Sequence, residues 1–119
     1  MSDQSIIDQS AIERLKEWGG AELPRKMIDI FLSNSPERME QIRDGISTET
    51  PRKAETGAHS LKSSAGNVGA VRLQSLAEEA ESLAEKENLS ALGDIWPRLE
   101  EAFGDACEEL KNLLEGMEE

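Results

Sequence analysis

Residues 51–70 read PRKAETGAHSLKSSAGNVGA. Their apolar positions Ala54, Ala58, Leu61, Ala65 and Val68 follow one another at intervals of 4, 3, 4 and 3. That rhythm keeps one side of a 3.6-residue helix apolar, whereas a strand would need alternate positions. The stripe is the seam of a helix packed into a bundle. Thr50-Pro51 marks its start, since proline at the first helical position gives up only an N–H that has no helical partner. Gly66 and Gly69 mark its end or a weak point near it.

Similar signals run outward in both directions. A short first helix is expected from about Ser10 to Trp18, with Ala11, Ile12, Leu15 and Trp18 inward and Gly19-Gly20 as its stop. A second runs from about Ala21 to Leu32, with Leu23, Met27, Ile30 and Phe31 on one face. Ser33-Asn34-Ser35-Pro36 reads as a break, with Ser35 as N-cap and Pro36 opening a third helix that carries Met39, Ile42 and Ile46. After the quoted helix comes a fifth, about Val71 to Lys86, with Leu73, Leu76, Ala80 and Leu83 inward. The last, about Ser90 to Gly116, carries Leu92, Ile95, Leu99, Phe103, Ala106, Leu110, Leu113 and, just past it, Met117, with Pro97 expected to kink it. The fold class is all-α: an antiparallel up-down four-helix bundle, core about 36–117, with two short N-terminal helices. Residues 1–119 form a single domain.

Composition narrows the function. Thirteen basic against twenty-five acidic residues give a net charge of −12, which repels phosphate backbones and anionic lipid and makes nucleic acid and membrane poor partners. No apolar run reaches the length of a bilayer span, and the polar residues 1–10 carry no cationic flank, so a cytoplasmic location is expected. The one cysteine, Cys107, lies in an apolar stripe and reads as a packed thiol. One histidine and no paired cysteines leave no metal set, and Glu78, Glu79, Glu81, Glu85 and Glu87 read as a wet helix face. A nucleophilic triad lacks a second histidine, and no glycine-rich phosphate loop follows a strand. Trp18, Trp96 and Phe103 sit on apolar stripes and read as core.

The single histidine, His59, falls between seam positions Ala58 and Leu61, on the wet side. Its helical neighbours are Arg52, Glu55, Thr56, Lys62, Ser63 and Gly66. Small residues crowd it: Ser60, Ser63, Ser64, Ala65 and Gly66. Folding gains little from serines and a glycine inside a helix. Leaving an imidazole uncovered for a second protein is a reason to keep them. Lys62 and Arg52 place positive charge on the same face, suited to a dianionic phosphoryl group. A surface histidine with a routine lysine neighbour is the plain alternative.

From Ala58 to Ala70 the sequence resembles the histidine-containing phosphotransfer (Hpt) family: histidine, then an aliphatic residue two on, lysine three on and a small residue four on. Small residues, Asn67, Val68 and Gly69 continue the motif. Trp18-Gly19-Gly20, the stretch from Phe31 to Arg38 and the long last helix resemble the family's surrounding elements. The resemblance implies that His59 is the phosphoacceptor through Nε2 and that Lys62 assists by charge. Ser63 stands where members most often have glycine. It implies a docking surface of Arg52, Glu55, Ser63 and Gly66, rimmed by Arg38 and Arg72. Members often place a polar residue on the next helix reaching toward the histidine, and by count this is Glu81, whose charge would oppose a phosphoryl group.

The implied protein is a monomeric phosphocarrier without kinase activity or a cofactor of its own. Its partners would be a response-regulator receiver domain, which holds Mg²⁺, and a sensor or hybrid histidine kinase. Attack needs a neutral imidazole, and positioning and charge carry most of the transfer. A helical adaptor without phosphotransfer and an enzyme using His59 as general base are the rival readings.

Overall fold

The computed structural model describes residues 6–117, so of the opening stretch 1–10 only the part from Ile6 is seen. Five helices and no strands occur among the described residues: α1 Gln9–Gly19, α2 Glu22–Ser47, α3 Pro51–Asn67, α4 Val71–Glu85 and α5 Leu89–Met117. α2 packs on α3, α3 on α4, α4 on α5, and α5 returns to α2, while α1 lies against α2. Tilted rings of Phe31 and Phe103, 6.1 Å apart, help to close α5 onto α2. None of the described helices is long and apolar enough to cross a membrane.

All five positions of the quoted seam are fully buried. Burying a leucine such as Leu61 contributes about 1.5–3 kcal/mol, so the seam is where α3 gains its stability. α3 ends in a Schellman turn: Ala70 N–H donates to the Ala65 carbonyl at 2.9 Å and Gly69 N–H to Gly66 at 3.2 Å. Gly69 takes φ 76°, which glycine adopts without steric cost. The same turn closes α2 and α4, yet there Glu49 (φ 55°) and Glu87 (φ 61°) hold the left-handed position. Thr50 N–H bonds the Gly45 carbonyl at 2.8 Å, and Asn88 N–H the Leu83 carbonyl at 2.8 Å.

The expected break at Ser33–Pro36 is absent, and the expected second and third helices are one continuous α2. Its buried residues, Pro24, Ile28, Phe31, Ser35, Met39, Ile42 and Gly45, form one unbroken stripe through the supposed break. Ser35 is wholly buried in that stripe instead of capping a helix. Pro36 faces solvent, where the Leu32 carbonyl it leaves unpaired can turn to water while packing on the other side holds the helix together. The helix that packs on α3 therefore begins at Glu22, not near residue 36. Ile28 takes the inward place expected of Ile30, which is exposed. Trp18, expected in the core, is 73% exposed because α1 covers the bundle only with Ala11, Ile12 and Leu15. Trp96 and Phe103 are half-buried and pack against the core.

Close approach between helices comes from small residues. A Cβ on Gly57 would meet the Arg38 carbonyl of α2 at 2.8 Å, and one on Gly45 would meet the Ala54 backbone nitrogen of α3 at 2.6 Å. α3 and α4 bury Ala58, Ala65, Ala77, Ala80 and Ala84. Helices faced with such side chains pack at the short end of the usual range of separations.

Candidate functional site

His59 leaves α3 on the side away from the seam, and its side chain is 63% exposed. One turn on, Lys62 rises from the same stripe. Glu81 on α4 reaches both. Its Oε2 lies 2.8 Å from His59 Nδ1 and its Oε1 2.8 Å from Lys62 Nζ. The Lys62 bond, helped by His59, holds the Glu81 carboxyl below the usual carboxylate range against the opposing effect of its own burial. In return, the bond to Glu81 raises Lys62 above the ordinary lysine value. The pair is therefore ionised at neutral pH.

An ionised carboxylate can only accept a hydrogen bond. In the neutral ring Nδ1 of His59 then carries the proton and donates it to Glu81, and Nε2 keeps its lone pair. The arrangement fixes both the tautomer and the ring's direction. It is an imidazole held ready as a nucleophile at one nitrogen, with an ammonium beside it.

A shallow groove of about 440 Å³ opens over the ring, lined by Arg52, Glu55, Thr56, His59, Ser60 and Glu81. Two of the four expected docking residues, Arg52 and Glu55, thus stand beside His59. Ser63 is exposed one turn away on the same stripe. Gly66 is elsewhere: it lines a second cavity of about 360 Å³ with Trp18, Leu23 and Met27. The Gln74 side chain of α4 sits where a Gly66 Cβ would be, at 2.7 Å, so the glycine there also admits α4. Of the two expected rim arginines, Arg38 hydrogen-bonds Gln41 at 3.5 Å, and Arg72 lies 3.8 Å from Glu101 and 3.8 Å from Asp105 of α5. Glu81 is the residue whose part reading the sequence missed. The count from His59 locates it, but only the α3–α4 packing shows that it is matched to Lys62.

Among the described residues no three His, Cys, Asp or Glu side chains converge as a metal site. Cys107 is half-buried on α5, and burial pushes its thiol up, away from the reactive thiolate.

A sequence profile described as Hpt domain matches residues 26–119. A search of the curated proteins gives no match. Among solved structures, the crystal structure of histidine-containing phosphotransfer protein B from Pseudomonas aeruginosa PAO1 is similar. It superposes with a TM-score of 0.86 at 23% identity, over 95% of this chain and 97% of that one. At that identity the likeness speaks for the shared fold.

Proposed function

Because the chain belongs to the Hpt domain family, whose chemistry is histidine phosphotransfer in two-component signalling, we propose that His59 is its phosphoacceptor and Lys62 its charge-stabilising neighbour. One observation carries this reading: the Nδ1–H bond to Glu81, which leaves Nε2 unpaired on an exposed ring. The phosphoryl group arrives on Nε2 through a loose, in-line transition state, so the work is in positioning and in charge. Lys62 meets the group as a point charge. Mg²⁺ belongs to the partner receiver domain, and this chain acts as a phosphocarrier with no kinase activity or cofactor of its own.

The partners on this reading are a response-regulator receiver domain, whose aspartate exchanges the group with His59, and a sensor or hybrid histidine kinase upstream. Docking uses the groove beside His59, with Arg52 and Glu55 as contacts and Ser63 as a flat approach along the stripe. Gly66, which lines the other cavity and admits Gln74 of α4, is left out of this docking surface. The chain works as one cytoplasmic, monomeric domain. Its α2 to α5 form the antiparallel up-down bundle that the closed ring of packed helices and the short connections support.

The test is incubation with a phosphorylated receiver domain or an active hybrid kinase. Wild type gains acid-labile, base-stable label and His59→Gln gains none. An unlabelled wild type, or equal label on the variant, would overturn the proposal.

A further inference from the structure

Both oxygens of Glu81 are engaged, one by the Lys62 ammonium and one by the His59 ring. A phosphoryl group on Nε2 brings close to two negative charges to the same few ångströms. Lys62 stands one helical turn from His59 on α3, its ammonium bonded to the carboxylate that also holds the ring. Each bond that Lys62 keeps to Glu81 is charge withheld from the phosphoryl oxygens, and each bond it gives up leaves a carboxylate uncompensated.

Building on the phosphotransfer reading above, we infer that Glu81 competes with the phosphoryl group for Lys62 and thereby destabilises phosphohistidine, so that His59 passes the group on instead of storing it. On departure, the P–Nε2 bond breaks with its electron pair returning to Nε2, and a P–O bond forms on the receiver aspartate. Nδ1 keeps its proton throughout, and Lys62 closes again on Glu81. While phosphorylated, the ring carries a positive charge that Glu81 attracts. That attraction involves one unit of charge. On this inference the near-double charge of the phosphoryl group and the loss of the Lys62 contact exceed it, and the direction of the Glu81→Gln shift reads that balance.

The experiment uses the full chain as wild type, Glu81→Gln, Lys62→Met and the double variant. Each is phosphorylated with phosphoramidate and mixed with one receiver domain, and the partition of label between histidine and aspartate is read at equilibrium. Glutamine's carbonyl still accepts from Nδ1–H, so the ring's ¹⁵N tautomer signature stays unchanged and the partition isolates the charge. Glu81→Gln shifts the partition toward His59 by about tenfold, the worth of one hydrogen bond to a charged group. Lys62→Met then moves it back further in the Glu81→Gln background than in wild type. An unshifted partition, a shift toward the receiver, or a changed ring tautomer overturns the inference while leaving His59 a phosphoacceptor. A wild type that exchanges nothing with the receiver overturns the phosphotransfer reading and this inference with it.

Discussion

The two faces of α3 are built on opposite rules. On one, Ala54, Ala58, Leu61 and Ala65 are closed to solvent altogether, and Gly57 meets the backbone of α2. On the other, His59 stands mostly in water and Lys62 is partly covered. The dry face is nonetheless what makes the wet one chemical. Its small side chains bring α4 close enough for Glu81, only 21% exposed, to reach two residues of α3 at 2.8 Å. Compare Arg72, which faces Glu101 and Asp105 across the α4–α5 boundary at 3.8 Å in open solvent. Exposed pairs of that kind contribute little. Interhelical spacing, set by alanine and glycine, separates a held imidazole from ordinary surface charge.

That contrast can be broken from the dry side first. Leu61→Ala truncates a fully buried side chain and should cost about 2–5 kcal/mol in urea unfolding. A loss near zero would mean the buried face has been misassigned. Gly57→Ala forces a methyl toward the Arg38 carbonyl and should cost about 1–3 kcal/mol. It should also loosen the spacing of α2 from α3, seen as faster amide exchange along both helices. On the wet side, Glu81→Gln should have a smaller effect, and one that depends on pH. The carboxyl of Glu81 is held below its ordinary value of 4.5, chiefly by Lys62. A depressed carboxylate stabilises the fold above its unfolded pKa and loses that contribution as pH falls through its folded one. The gap in stability between wild type and Glu81→Gln is therefore full at neutral pH and shrinks below about 4.5. A gap that widens in acid would refute the pairing. His59→Ala should change stability least, by under about 0.5 kcal/mol, while abolishing phosphoryl uptake.

The dry face was readable because every seam position of α3 is itself apolar. α2 was not, for the opposite reason. Its stripe passes through Ser35, so a polar residue interrupts the apolar count while Ser35-Pro36 supplies a strong local start signal. Buried packing along the whole helix overrides that signal. Turn chemistry shows the same limit: Gly69 announces the end of α3, whereas Glu49 and Glu87 adopt equivalent left-handed positions with no glycine to mark them. Trp18 misled by residue type, since a large apolar ring was assigned inward although α1 has only a narrow buried side. For the site, His59 and Lys62 share one helix, and their spacing is visible in the chain. Glu81 belongs to another helix, and its pairing with Lys62 depends on a distance that no single helix encodes.

One link outside this comparison bears on how the molecule comes together. The backbone N–H of Asp8 donates to the Gly69 carbonyl at 2.7 Å, and a Cβ on Gly69 would strike the Asp8 carbonyl and Ala11. The leading helix is thus fastened to the turn between α3 and α4. During synthesis on the ribosome α1 can meet α2 once both are made, but this second link does not exist until α3 has been made and the Gly69 turn has formed. α1 therefore reaches its final seat only after the turn that follows α3, although it precedes α2 in the chain.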